Sequence, residues 1–234
     1  MNGKILQLQP RLRLLAELVP PDAILADVGT DHGYLPVRLL QERKIRRAIA
    51  SDINSLPLEH ARSTAAEYGV KEGIEFRLCP GLRDIAPEEV NVIVIAGMGG
   101  ETIAAILEEA PWTREQGLQL LLQPMTKAEI LRHWLANNGY TFTAERLVSD
   151  KGHLYPVLCV TGGQSAKLTD AEAIGGVRLE GDPLWDAYLE RQTQKLRRKI
   201  EGLRRAGRGQ EDTATLEELC RELDARKEQI ACTL

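Results

Sequence analysis

The chain is poor in aromatic side chains, which make up 4% of its 234 residues. It also has no uninterrupted apolar run of about 18 residues, which excludes a membrane-spanning helix. Cysteine is sparse: Cys79, Cys159, Cys220 and Cys232 contain no Cys-x-x-Cys pair, and the four histidines show no metal-ligand spacing. Neither a disulfide framework nor a metal site is expected, and the thiols read as small buried apolar groups in a reducing compartment. The opening MNGKILQLQPRLRLLAELV lacks a signal-peptide core and a small-residue cleavage site, so it reads as a basic amphipathic turn and helix of a cytoplasmic protein. There is no large excess of either charge, with a net of −4. That average hides a basic stretch, because Arg191–Arg208 carries eight lysines and arginines against one acid, Glu201. Local charge decides where a phosphate backbone docks.

What is present is a regular alternation. Ala23–Asp27, Ala48–Asp52, Ile74–Leu78, Val92–Ala96 and Leu118–Gln123 are short apolar runs bounded by Gly, Pro, Asp or Asn, as buried strands are. Helical patterns lie between most of them, at Leu35–Gln41, Leu56–Tyr68, Glu101–Glu109 and Lys127–Asn137. Tyr140–Val148 and Leu154–Val160 follow with only a turn between them. Five βα units and a closing antiparallel pair predict an α/β fold, a doubly wound, mostly parallel Rossmann-like sheet. Gly162–Ser165 reads as a linker, and Leu168–Glu180 has no clear pattern. Leucines seven apart at 189, 196 and 203, a break at Gly207–Gly209, and the same spacing at 216, 223 and 230 predict a helical hairpin resembling a coiled coil. The expected division is a first domain over 1–161 and a helical one over 162–234.

Ligands of open α/β sheets bind beyond the carboxyl ends of the strands. After the first strand comes Asp27-Val-Gly29-Thr-Asp31-His32-Gly33-Tyr-Leu35-Pro, and the second strand ends in Asp52, suited to a ribose. A dinucleotide would bring its pyrophosphate against Asp27 and Asp31, where like charges repel. S-adenosylmethionine has no phosphate and carries a sulfonium and an ammonium, for which these carboxylates are favourable. Asp31 is also suited to cap the following helix. Beyond the fourth strand, Gly97-Met98-Gly99-Gly100 strips the strand end of bulk, and Gln123-Pro124 follows the fifth.

The motifs at 27–36, Ile95–Gly100 and Leu122–Pro124, with the basic first helix and the C-terminal hairpin, resemble the bacterial tRNA (adenine-22-N1)-methyltransferase family. The resemblance implies methyl transfer from S-adenosylmethionine to N1 of an adenine in the D-arm region of tRNA. It implies cofactor contacts at Asp27, Gly29, Asp31, His32, Gly33, Leu35, Asp52, Ile53, Gly97, Met98, Gly99 and Gln123. After the third strand the family's Gly-Asp-Gly-Leu is replaced by Cys79-Pro80-Gly81-Leu82, which leaves Gly81 but no acid to receive the cofactor's adenine amino group. Asp31 is the candidate catalytic residue, accepting from the N6 amino group of the substrate adenine. Arg11, Arg13, Arg197, Arg198 and Arg204 are the candidate tRNA contacts. The same residues leave two other readings open: an NAD-dependent oxidoreductase on this sheet, or a non-catalytic RNA-binding scaffold. Monomer and homodimer are both compatible with the hairpin.

Overall fold

The structure is a computed structural model and describes residues 4–70, 72–206 and 210–231. Seven strands form one sheet: β1 (Ala23–Val28), β2 (Ile45–Asp52), β3 (Ile74–Leu78), β4 (Val92–Gly99), β5 (Gln119–Thr126), β6 (Tyr140–Asp150) and β7 (His153–Gly162), in the order β3-β2-β1-β4-β5-β7-β6. The first five run parallel, and β7 and β6 close the sheet antiparallel. The order reverses between β1 and β4, so a crevice opens at their carboxyl ends.

Side-chain alternation along the strands builds two cores. Ala26, Val28, Ile93 and Ile95 face the helices α4 (Gly100–Glu108) and α5 (Ala128–Asn137) through Ile103, Leu107, Leu131 and Leu135. Leu25, Val92 and Val94 face the other way, toward α1 (Pro10–Leu18), α2 (Tyr34–Gln41) and α3 (Ser55–Glu67), where Leu15, Leu35, Leu39 and Ala65 meet them. Central strands covered on both faces need the unbroken apolar runs seen in the sequence.

Two expectations are corrected. Of the five expected βα units, the third has no α-helix: between β3 and β4 there is only a 3-10 turn, Pro87–Glu89. Pro80 and Pro87 break this crossover, and Arg77 holds it with paired bonds to Glu89 (2.9 and 3.0 Å). The segment read as a linker is pinned instead: Gly162 ends β7, Gly163 N–H donates to Gly139 O (3.0 Å), and Ser165 Oγ donates to Tyr140 O (2.8 Å). The β6–β7 turn is Lys151-Gly152 with both φ positive (47° and 80°), the geometry that matches strand twist in a two-residue hairpin.

Beyond the sheet come α6 (Asp170–Gly175), α7 (Trp185–Arg205) and α8 (Gln210–Ala231). The stretch without a pattern therefore holds a helix, opened by a capping box in which Thr169 and Glu172 exchange side-chain-to-backbone bonds. So short a helix leaves most of its carbonyls without partners, and side chains supply them. Arg226 donates to Ala171 O and Gly176 O, Trp185 Nε1 to Gly175 O, and Arg132 to Ala173 O. α7 and α8 lie antiparallel, as their cross-helix pairs require: Arg204 with Glu217, Arg197 with Asp224, and Lys227 with Glu190. Leu189, Leu196, Leu219 and Leu223 form their seam together with Trp185 and Tyr188. The expected break at 207–209 lies outside the described residues, as do the side chain of Ile230 and Cys232.

The helices are tied to the sheet at several places, among them the Arg191 guanidinium of α7, which donates to Gly152 O in the β6–β7 turn (2.9 Å). Arg132 on α5 and Glu145 on β6 form a fully buried ion pair, and Arg132 also approaches the Tyr188 hydroxyl oxygen (3.4 Å). On the outer side of β6, Leu147 N–H donates to Asp182 Oδ2 (2.9 Å).

Candidate active site

A cleft of about 730 Å³ opens at the carboxyl ends of β1, β2, β4 and β5. Its wall is built by the first loop. Gly29 and Thr30 N–H groups both donate to Ser51 O (2.9 Å each), which ties the loop to β2. Gly33 (φ 66°) then turns the chain into α2, and a Cβ there would lie 2.9 Å from the Ala61 Cβ on α3. Gly33 is the N-cap of α2 and no side chain caps it, so Asp31 is not a helix cap. Asp31 adopts φ 53° instead, with its side chain 73% exposed and one oxygen 3.7 Å from His32 Nε2.

Asp27 lies at the floor. Burial pushes its carboxyl up to about 6, the Thr30 hydroxyl (2.6 Å) pulls it back, and the charge of Asp52 adds to the rise. Asp52 keeps one oxygen on the Asn54 N–H (3.0 Å). Gln123, buried in the cleft, is fixed at both ends of its amide, with Nε2 also reaching Met125 Sδ (3.7 Å). Its Oε1 accepts from Gly97 N–H and Arg11 Nη1 (3.3 Å each), and its Nε2 donates to Pro124 O (3.0 Å). Space is open where a Gly97 side chain would stand.

A second cleft, of about 480 Å³, shares Gly29, Asp52 and Met98 with the first and is more apolar. Ile53, Cys79, Pro80, Gly81 and Ile106 line it, with Gly81 (φ 60°) resting on Ile106. The Met98 side chain lies over Gly29, between the two spaces.

Most of the expected site residues converge here: Asp27, Gly29, Asp31, His32, Leu35, Asp52, Gly97, Met98 and Gln123 line the main cleft, and Ile53 and Gly81 the second. Gly33 and Gly99 do not line either; Gly33 serves the turn, and Gly99 is the N-cap of α4. Arg11 lines the main cleft, where Asp150 holds it (2.8 Å) over the Tyr155 ring. Arg13 points elsewhere, donating to Leu8 O (3.2 Å). Arg197, Arg198 and Arg204 are on α7, and of these Arg198 has no ion pair among the described residues. Sequence reasoning passed over Thr30, Tyr34, Asn54, Pro57 and Met125, all of which line the main cleft, and His60, whose ring is 4.9 Å from that of His32. Pairing His60 with His32 needs the α2–α3 packing, which leaves no mark in spacing.

The donor set fits S-adenosylmethionine. An apolar slot at Ile53, Pro80 and Ile106 matches the chemistry of a flat purine, and the Asp52 and Asp27 carboxylates on the adjoining cleft match that of ribose hydroxyls and an ammonium. The phosphate of a dinucleotide would have to approach Asp27 and Asp31.

Residues 8–158 match the model of a methyltransferase domain family. Over 232 residues the chain is 32% identical to the tRNA (adenine(22)-N(1))-methyltransferase of Bacillus subtilis, covering 96% of this chain and 98% of that one. The chain belongs to this methyltransferase family. The solved structure of the B. subtilis m1A22 tRNA methyltransferase TrmK superposes with a TM-score of 0.76 at 30% identity, over 97% of this chain and 98% of that one. A Streptococcus pneumoniae relative, solved in complex with S-adenosyl-L-methionine, gives 0.79 at 33% identity over 92% and 97% of the two chains. This membership sets aside the oxidoreductase and scaffold readings. Among the described residues no group of three or more His, Cys, Asp or Glu side chains is placed to hold a metal, and no helix is long and apolar enough to cross a membrane.

Proposed function

We propose that the protein methylates N1 of adenine 22 in tRNA, with S-adenosylmethionine as donor. The observation that carries the reading is the exposed Asp31 carboxylate on a cleft that Gly97, with no side chain and open space beside it, also lines. Similarity along nearly the whole chain to an enzyme of that name supports it.

When bound, S-adenosylmethionine supplies a methyl group on a positively charged sulfur. The N1 lone pair of adenine attacks that carbon in line; the C–N bond forms as the C–S bond breaks, leaving a neutral thioether and a cationic 1-methyladenine. No base is needed beforehand, because N1 carries no proton. The protein's task is orientation and charge. Asp31 accepts from the N6 amino group and so aims N1 inward. As positive charge builds on the ring, the same carboxylate stabilises it. Asp27 and Gln123 shape the donor side, and Asp52 holds the ribose.

N1 is hidden on the Watson–Crick edge, so the adenine must leave its stack, at a cost of a few kcal/mol. The helices over 162–234, a separate helical domain in this reading, offset that cost through contacts to the rest of the tRNA. Arg198 has no ion pair among the described residues; Arg197 and Arg204 share exposed, weak ion pairs with α8. Arg11, held inside the cleft, acts on the base or its own phosphate.

The test is incubation with methyl-labelled S-adenosylmethionine and unmodified bacterial tRNA, followed by complete digestion. Label in 1-methyladenosine from position 22 is expected, and Asp31→Ala is expected to abolish it while still binding S-adenosylhomocysteine. Label in another nucleoside, or wild-type turnover by the variant, would refute the assignment.

A further inference from the structure

Three rings stand in parallel beside the cleft. His32 is at the centre, with Tyr34 5.1 Å away at 9° and His60 4.9 Å away at 6°. His32 is in the first loop and Tyr34 opens α2, and both line the cleft, whereas His60 comes from α3, does not line it, and ends the row as an exposed residue. Aligned rings left in water are unusual on the surface of a chain with so few aromatics. Tyr34 of the row, Ile53 and Leu56 are three of the six exposed large hydrophobic residues among those described, and Leu56 precedes His60 by one helical turn on α3. All of them follow the carboxyl ends of β1 and β2, where the cleft opens. Among the described residues no acid pairs with His60.

Taking one base out of an RNA stack leaves its neighbour with an uncovered face. A ring row that starts in the cleft wall and leads outward offers that neighbour a new stacking partner. We propose that the Tyr34–His32–His60 row is a stacking platform for the unpaired nucleobase next to the target adenine, with His60 presenting the outermost face. The proposal rests on the function proposed above and adds to it a second base-binding position outside the methyl-transfer cleft.

Stacking is not ionic, which sets it apart from the α7 cations in the test. His60→Ala is expected to weaken binding of unmodified bacterial tRNA about tenfold, within the range of one base–aromatic stack. The slope of log affinity against log salt is expected to stay as in wild type, because no phosphate contact is lost. The turnover number at saturating tRNA and the affinity for S-adenosylhomocysteine are expected to be unchanged. His60→Phe, which keeps a ring, is expected to restore wild-type affinity, and Tyr34→Ala is expected to weaken binding as His60→Ala does. Wild-type tRNA affinity in His60→Ala would overturn the platform, as would a flattened salt slope or equal losses in His60→Ala and His60→Phe. These readouts concern tRNA affinity alone, so they remain decisive if the digestion experiment assigns the methyl group to another base. Absence of methyl at adenine 22 refutes the function, and an unaffected His60→Ala refutes the platform.

Discussion

Replacing Arg132 by Met tests how firmly the helical part is joined to the sheet. The guanidinium is fully buried; Nε and Nη2 both reach Glu145 Oε1, and Nη1 donates to Ala173 O (2.6 Å). Among the described residues Glu145 Oε2 accepts only from Val177 N–H (2.9 Å). Arg132→Met keeps the stem volume and removes every donor at once. It leaves a carboxylate in the interior with one backbone N–H, and a carbonyl of α6 with none. Removing one partner of a buried pair costs about 3–5 kcal/mol, since the remaining charge keeps its desolvation penalty. For a chain of this size each kcal/mol lowers Tm by about 2–4 °C, so the variant should melt about 6–20 °C below wild type. Differential scanning calorimetry gives the number, and hydrogen exchange along α6 and β6 gives its location. The double variant Arg132→Met/Glu145→Leu should recover most of the loss, because the stranded charge is then gone. A fall of less than about 3 °C in the single variant, or no recovery in the double one, would refute the reasoning. The pair would then be a solvated contact with no part in holding α6.

Three further outcomes follow from the site. Asp27 titrates in the folded chain at about 6 against an ordinary 3.8, so it binds its proton more readily folded than unfolded. Its contribution therefore makes the free protein more stable as pH falls from about 6 to about 4, while the affinity for S-adenosylmethionine falls over the same window; calorimetric titration checks this, and a pH profile in Asp27→Asn identical to wild type would count against it. Gly33→Ala should lose about 1–2 kcal/mol from its left-handed backbone alone, and more from the Ala61 contact, measured by urea unfolding; an unchanged midpoint would mean the turn relaxes freely. Arg198→Ala should lower the salt slope of tRNA binding by about 0.7–0.9, and Arg197→Ala by less because Asp224 engages it; equal slopes for wild type and Arg198→Ala would remove α7 from the RNA surface.

The sheet was readable because strands buried on both faces must be continuously apolar, and Val92–Ile95 and Leu120–Leu122 meet that need with no polar interruption. The site was readable for a related reason: chemistry in such sheets collects where strands end, and Asp27, Asp52, Gly97 and Gln123 all lie at strand ends. The failures have physical causes. The missing third helix is a local effect of Pro80 and Pro87, outvoted in the sequence by the regular spacing of its neighbours. α6 was legible only through its Thr169–Glu172 capping box, because its other stabilising groups, Arg132, Trp185 and Arg226, are far away along the chain. Asp31 has the chemistry of a helix cap and not the position of one, since Gly33 begins α2 two residues later. His60 joins the ring row only once α3 has packed on the first loop.

The bond from Leu147 N–H to Asp182 has a bearing on how this chain can be cut. β6 is the last strand of the sheet, and Asp182 covers one of the backbone groups that would otherwise invite another strand. Leu147 and Leu154 pack against the helices on the same side. A fragment ending at Gly162 would bare that margin together with the Arg132–Glu145 charges, and would be expected to polymerise edge to edge, visible by light scattering at concentrations where the whole chain stays dispersed. The helical arm thus doubles as a cover for the sheet, and its loss would be felt first as insolubility rather than as weak RNA binding.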